Sequence, residues 1–411
     1  MSSTGRYRDA LAVAEFRAIF AAHVVSVTGM VVANFALTVL IYARTGSPLL
    51  SALVFTVTFA PYLVAGTLLN ALTDRLPIRR LLVWCNLASA ALTAVMAVPG
   101  TPVVMLLALA FGRGLIAPVI AGARAATLPD VVPGPAFVPA RSLLRLVSQS
   151  ALLGGTAVAG VLLTGVSATG VLIGNAACFA VSAALLRFGT VERRPEDTAE
   201  RPSLIRDSFN GMGAMFRVRP LRRVLLLSWA VPALGVAAEA LAVPYTGSVH
   251  AGSLGAGLFL SAVPAGAVLG EVLTNTLADA GRQVRLVGWA AATVFAPMLV
   301  FVLHPPLAVA LPLLVVSGLG FAHHLGLDRL LMDVAPEELR GRALNLQSTG
   351  LMFWQGLGFA AAGAAAQFLG AAQVIALAGC CGLLCVACLI GPGPARRPEH
   401  RTDAPVTAAS E

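Results

Sequence analysis

Lysine is absent from this chain of 411 residues, so all 28 basic residues are arginine, beside 19 acidic residues and six histidines. Charge of either sign is scarce, at 11% of residues, where soluble domains carry about 25%. That shortage excludes a water-soluble globular protein. Cysteine is sparse as well, and Cys85, Cys178, Cys380, Cys381, Cys385 and Cys388 all fall inside apolar stretches, which argues against a disulfide framework. Cys385 and Cys388 have zinc-ligand spacing but no histidine or carboxylate beside them, so small apolar packing is the better reading. No nucleotide-binding segment or soluble catalytic region is recognisable. Gly318-Leu-Gly320 lies inside an apolar helix rather than after a strand, so it is no phosphate loop. No nucleophile and base stand at recognisable spacing. The chain is therefore expected to be no enzyme and to hold no cofactor or metal.

What fills the chain is apolar sequence: 58% of residues are hydrophobic and the mean hydropathy is +0.85. Stretches long enough to cross a bilayer, about 18 to 25 residues, run approximately over 18–43, 49–73, 81–99, 102–122, 143–163, 167–189, 221–245, 254–276, 286–304, 307–330, 345–366 and 372–391. These twelve predict an all-α membrane protein. No short apolar run closed by a small-residue cleavage site is evident near residue 1, so the first span is expected to insert as it stands.

The formal charge is +9 and the isoelectric point about 10.1, a balance that in a soluble protein would raise nucleic acid as a partner. The positions of the arginines decide otherwise. With the N-terminus cytoplasmic, Arg44 alone falls in an outer loop and Arg113 inside a span, and every other arginine falls on the inner side. The positive-inside rule turns that bias into an orientation, with both termini and the 190–220 linker on the cytoplasmic face of the inner (plasma) membrane. The basic residues then meet anionic lipid heads, and no nucleic-acid partner is expected. Phe209, Met212 and Phe216 give the second part of the linker an amphipathic character suited to the inner leaflet.

The two halves repeat. Asn70-Ala-Leu-Thr-Asp74 closes the second span and Asn275-Thr-Leu-Ala-Asp279 the eighth; Asp130-Val-Val-Pro133 follows the fourth and Asp333-Val-Ala-Pro336 the tenth; Gln149 and Gln355 open Gly-rich stretches of the fifth and eleventh. All three pairs lie about 205 residues apart. The repeat predicts two pseudo-symmetric six-helix bundles, residues 1–189 and 221–392, joined by the 190–220 linker and followed by a disordered tail over 393–411. In such an arrangement a cavity lies between two rocking bundles.

The segments EFRAIFAAHVVSVTG into the first span, ARTGSPLLSALVFTVTFAP after it, NALTDRLPIRRLL between spans two and three, ARAATLPDVVP after span four and APEELRGRALNL between spans ten and eleven resemble the major facilitator superfamily. The resemblance covers nearly the whole chain and is closest to the branch of enterobactin-type siderophore exporters and macrolide-efflux proteins. It implies alternating access about a midplane site and a cytoplasmic gate in the D-R-x-x-x-R loop. Carried onto this chain, the gate comprises Asp74, Arg75, Arg79 and Arg80, with Asp279 as the matching acid of the second half. The loop departs from the family pattern at Asn70 and Pro77, each at a position often held by Gly, and Met30 stands where relatives frequently carry an acidic or polar residue.

Ionisable side chains at membrane depth cost about 2.5 to 3.5 kcal/mol or more, so each is expected to face the bundle interior. Arg113 is near the middle of span four, where the resemblance also places an arginine. Glu239 lies between Pro232 and Pro244 of span seven, roughly 17 residues or about 25 Å from its start, and a carboxylate there suits proton exchange. Glu271, His323 and His324 complete the candidates for substrate or proton coupling. The adjacent histidines are expected to point about 100° apart, while His23 reads as a polar packing residue.

The expectation is a secondary active transporter, exporting a small amphipathic drug, antibiotic or siderophore in exchange for protons, as a monomer among membrane lipids. An uptake symporter of the same fold and a non-transporting sensor or scaffold are the alternatives.

Overall fold

The structure is a computed structural model that describes residues 7–62, 77–192, 218–336 and 340–390. In chain order the helices are α1 (Tyr7–Ala12), α2 (Ala14–Thr45), α3 (Pro48–Phe59), α4 (Ile78–Met96), α5 (Val103–Val131), α6 (Phe137–Gly165), α7 (Ala168–Gly189), α8 (Arg219–Gly235), α9 (Ala237–Ala240) and α10 (Ala242–Ser248). They continue as α11 (Gly252–Leu277), α12 (Ala280–Phe295), α13 (Leu307–Leu319), α14 (His323–Val334), α15 (Arg340–Ala365) and α16 (Ala371–Ile390). Short 3-10 segments at Gly134–Ala136, Ala296–Leu303 and Gly320–Ala322 join some of them, and no strand occurs among the described residues.

Ten helical stretches are long and apolar enough to cross a membrane. Two of the twelve expected spans are not among them. The second begins as α3, a shorter apolar helix, and continues into residues outside the described set. The eleventh forms α15, whose Ser348, Thr349 and Gln355 leave it less apolar than the ten. Local chemistry sets the helix limits. Ser47 and Ser167 accept hydrogen bonds from the Leu50 and Gly170 amides (3.3 and 3.1 Å), and Asp279 accepts from the Arg282 amide at 2.7 Å, each satisfying an amide that lacks an intrahelical partner. Pro232 and Pro244 remove backbone donors, and span seven is accordingly interrupted at Val236 and Leu241. Span ten is divided at Gly320–Ala322.

Arg44 donates to the Thr101 carbonyl (2.9 Å) at one end of the bundle, where few arginines sit. At the other end, rich in arginine, Glu15 at the start of α2 accepts from the Val191 amide beyond α7 (2.9 Å). Helices before residue 190 pack mainly with one another, α2 on α6 and α7, and α4 on α5 and α7. Those after 218 do likewise, α8 on α15 and α16, α11 on α13, and α12 on α14. Two seams join these sets, α6 against α11 and α3 against α15.

Among the described residues, the close contacts of both seams lie toward the arginine-poor end. On the first, Thr156 and Ser261 share a hydrogen bond of 2.8 Å between their hydroxyls. Just beyond, Gly160 faces Gly257 so closely that a Cβ on Gly160 would lie 2.9 Å from the Gly257 Cα. Only glycine on both helices permits that approach. On the second seam Phe359 stacks on Phe55 and Phe59 (centroids 4.8 and 5.8 Å), and Gln367 donates to the Ser47 hydroxyl at 2.5 Å. Toward the arginine-rich end, α6 and α11 instead carry the exposed polar residues Gln149, Ser150, Asn275 and Thr276.

Candidate functional site

Arg113 is held by α5 at 3% exposure, next to Gly114, which lets α5 lie against the Val57–Thr58 backbone of α3. Its Nη2 donates to the side-chain oxygen of Asn34 on α2, while Nη1 has no acceptor among the described residues. One turn along α2, Thr38 donates to the backbone carbonyl of Asn34 at 2.9 Å. Asn34 lies one helical turn beyond Met30, so the polar group that span one offers stands on the same face, displaced by a turn. A primary amide can accept from the guanidinium but cannot neutralise it. Arg113 is thus a buried cation with one nitrogen unsatisfied and no carboxylate partner among the described residues, an arrangement that favours an incoming anionic or strongly accepting group.

Glu239 occupies α9, the four-residue turn isolated by the two interruptions of span seven. It is half-buried, and it forms no hydrogen bond or ion pair with the described residues. The segment packs on α15 and α16 and also reaches α3 across the second seam, so the carboxylate sits where the two sets of helices meet. Glu271 is half-buried on α11.

His323 and His324 lie close together, their ring centroids 4.2 Å apart. The expected divergence of adjacent side chains does not separate the rings, whose planes are inclined at 31°. His323 is buried, with Nδ1 at 2.9 Å from the Gly320 carbonyl and Nε2 without a partner among the described residues. One turn beyond His324, Asp328 accepts from Gln347 of α15 at 3.0 Å, and Gln347 also reaches the Ser228 hydroxyl of α8 at 3.3 Å.

Of the residues expected at the gate, Asp74 and Arg75 lie outside the described residues. Arg79 and Arg80 open α4, and Arg80 pairs through Nε with Glu192 (2.6 Å), just past α7. Asp279 caps α12.

The structure also reveals an arrangement that the sequence left as simple packing. His23 on α2 is 2% exposed and links three helices: Arg124 Nη1 of α5 lies 2.6 Å from Nδ1, and Nε2 lies 3.1 Å from both the Leu144 carbonyl and the Ser148 hydroxyl of α6. A guanidinium can only donate, so Nδ1 accepts and the proton of a neutral ring resides on Nε2, from which it is donated to α6.

Residues 9–404 match the family model described as transmembrane secretion effector. The chain belongs to that family, within the major facilitator superfamily. It is accordingly a multi-pass membrane transporter and no enzyme. No curated protein matches the transporter in sequence. Its fold is similar to solved transporters at low identity. A nucleoside transporter aligns with a TM-score of 0.74 at 12% identity, over 91% of this chain and 99% of the other. A POT family transporter in complex with 5-aminolevulinic acid aligns at 0.73 and 9% identity, over 91% and 95%. A bacterial homologue of the iron transporter ferroportin, in an inward-facing state, aligns at 0.67 and 15% identity, over 92% and 99%. At these identities the likeness concerns the fold alone.

Proposed function

We propose that this transporter exports a small amphipathic organic compound, of the drug, antibiotic or siderophore kind, in exchange for protons. The reading takes the chain as twelve spans in two six-helix halves, 1–189 and 221–392, with both termini and the intervening linker cytoplasmic. The observation that carries it is the pair of opposite charges left without ionic partners among the described residues: Arg113 on one side of the seams, with an unsatisfied nitrogen, and Glu239 at a helix break that reaches across them. A buried charge left unpaired is costly, and a cargo or proton that relieves it in one conformer more than in the other biases alternating access. The family's description as a secretion effector supports the outward direction. In this reading the arginine-poor end is the outer side, and contact of the seams there supports a state open toward the cytoplasm, where cargo for export is loaded. In the same reading Asp74, Arg75, Arg79, Arg80 and Asp279 form the gate that closes that side, and Asp74→Asn changes turnover more than binding.

The test is substrate-dependent proton movement in liposomes carrying the purified protein, with a panel of lipophilic cations, macrolides, siderophores and metabolites. Glu239→Gln is expected to abolish the dependence of flux on the pH gradient while leaving the protein folded. Absence of flux with every compound overturns transport of this class; unchanged pH dependence in the variant removes Glu239 from coupling.

A further inference from the structure

A groove of about 480 Å³ runs along the outside of the N-terminal helices, between α4 and α7, at their arginine-rich ends. Its volume lies in the range of small-molecule sites, about 300–1,000 Å³. Alanines 180, 183 and 184 form its floor on α7, at the i, i+3 and i+4 positions that share one helix face, and their small side chains make it a recess. The walls are apolar and open outward: Trp84 is 69% exposed and Phe188 88%. One end is cationic, lined by Arg79 and Arg80 of α4 and Arg187 of α7, with Glu192 the sole carboxylate in the lining. Glu192 is engaged by Arg80. Arg79 and Arg187 form no ion pair with the described residues.

Two largely exposed aromatics on neighbouring spanning helices face acyl chains rather than water, and a Trp one turn along from a pair of arginines stands where indoles collect, at the level of lipid headgroups. A polar cargo does not fit walls of this kind, and a zwitterionic headgroup brings a cation toward three guanidinium groups. We propose that this groove binds an anionic phospholipid, with Arg79 and Arg187 holding its phosphate and one acyl chain lying over the alanine floor between Trp84 and Phe188. Basic recesses between spanning helices at the cytoplasmic level are suited to such headgroups. The site is separate from Arg113 and Glu239, and the bound lipid bridges α4 to α7, adding to the Arg80–Glu192 link at the same place.

Trp84 supplies the reporter. The protein is reconstituted into phosphatidylcholine vesicles containing, at equal mole fraction, either brominated phosphatidylglycerol or brominated phosphatidylcholine, and the part of the tryptophan quenching that Trp84→Phe removes is measured. The anionic lipid is expected to occupy the groove about fivefold more strongly for each free arginine, so it quenches Trp84 at much lower mole fraction. That preference should vanish in Arg79→Gln/Arg187→Gln and persist in Arg145→Gln, which changes an exposed arginine of α6 outside the groove. Soluble glycerol 3-phosphate added to phosphatidylcholine vesicles should leave the Trp84 signal as it was. Equal quenching by the two brominated lipids in the unmodified protein overturns the proposal, whether or not the double variant folds; so does a preference that survives the double substitution.

Discussion

Gly160→Ala tests whether the seam between α6 and α11 governs the conformer balance. The new Cβ would lie 2.9 Å from the Gly257 Cα and 2.9 Å from the Ser253 carbonyl oxygen. Both are backbone atoms and cannot rotate aside, so the two helices must separate. Overpacking of this kind costs about 1–3 kcal/mol, and separation also weakens the Thr156–Ser261 hydrogen bond, worth about 1 kcal/mol. A net penalty of about 2 kcal/mol against the closed seam moves a two-state equilibrium roughly thirtyfold toward the conformer in which α6 and α11 are apart. Gly154→Ala is the control. It lies on the same helix with nothing within 4 Å of its added Cβ, and alanine is the better helix former by about 0.8–1.0 kcal/mol, so it should leave the balance unchanged. Spin labels at the exposed positions Val166 and Leu254, in a background without the native cysteines, report the separation by double electron–electron resonance. The distance distribution should shift to longer values in Gly160→Ala alone. Identical distributions in the two alanine variants would refute the reasoning.

Three further substitutions probe the interior. Arg113→Met replaces an incompletely satisfied buried cation by an apolar side chain of similar length, so the thermal midpoint in detergent should hold or rise while substrate flux is lost; a lowered midpoint would show that the guanidinium serves the fold. His23→Leu deprives Arg124 of its acceptor on α2 and should cost about 1.5–3 kcal/mol, seen as a lower midpoint. Gln347→Leu removes the donor shared between Asp328 and Ser228 and should destabilise by about 2 kcal/mol; an unchanged midpoint would mean that the three helices are held by packing alone.

Ten of the expected spans were legible because a long apolar run has few alternatives once water is excluded, and Pro232 with Pro244 announced the interruption of span seven. The division of span ten at Gly320–Ala322 was not legible, since neither glycine nor phenylalanine demands a 3-10 turn. The sequence ended span four at residue 122, whereas α5 continues to Val131, which draws Arg124 into the bundle. Glycines 160 and 363 could be read as contact points from composition, but their partners, Gly257 and the Pro48–Ala52 turn, lie far away in the chain. Arg113 stood out as a charge in an apolar run. Asn34 did not, because one uncharged amide barely changes the hydropathy of its span, and its importance follows only from the cation that it meets.

Two arginines of α5, eleven residues and so about 16 Å apart along the helix, are treated differently by the fold, and the contrast bears on where a proton can reside. Arg124 donates to a ring nitrogen of His23, whose other nitrogen is committed to α6. A proton arriving at Nδ1 would turn that acceptor into a donor facing a guanidinium, so His23 can protonate only if Arg124 leaves. Arg113 presents the opposite case, a cation whose remaining nitrogen has no acceptor among the described residues, and a cation does not collect protons. In the proposed reading Glu239, without an ionic partner among the described residues at a helix break, is the coupling group, gaining or losing its proton with α5 undisturbed. His23→Leu should therefore lower stability yet preserve the pH dependence of flux, while Glu239→Gln should do the reverse. If His23→Leu abolishes the pH dependence in protein that remains folded and able to transport, the assignment passes from Glu239 to the His23–Arg124 pair, and release of Arg124 becomes part of the cycle.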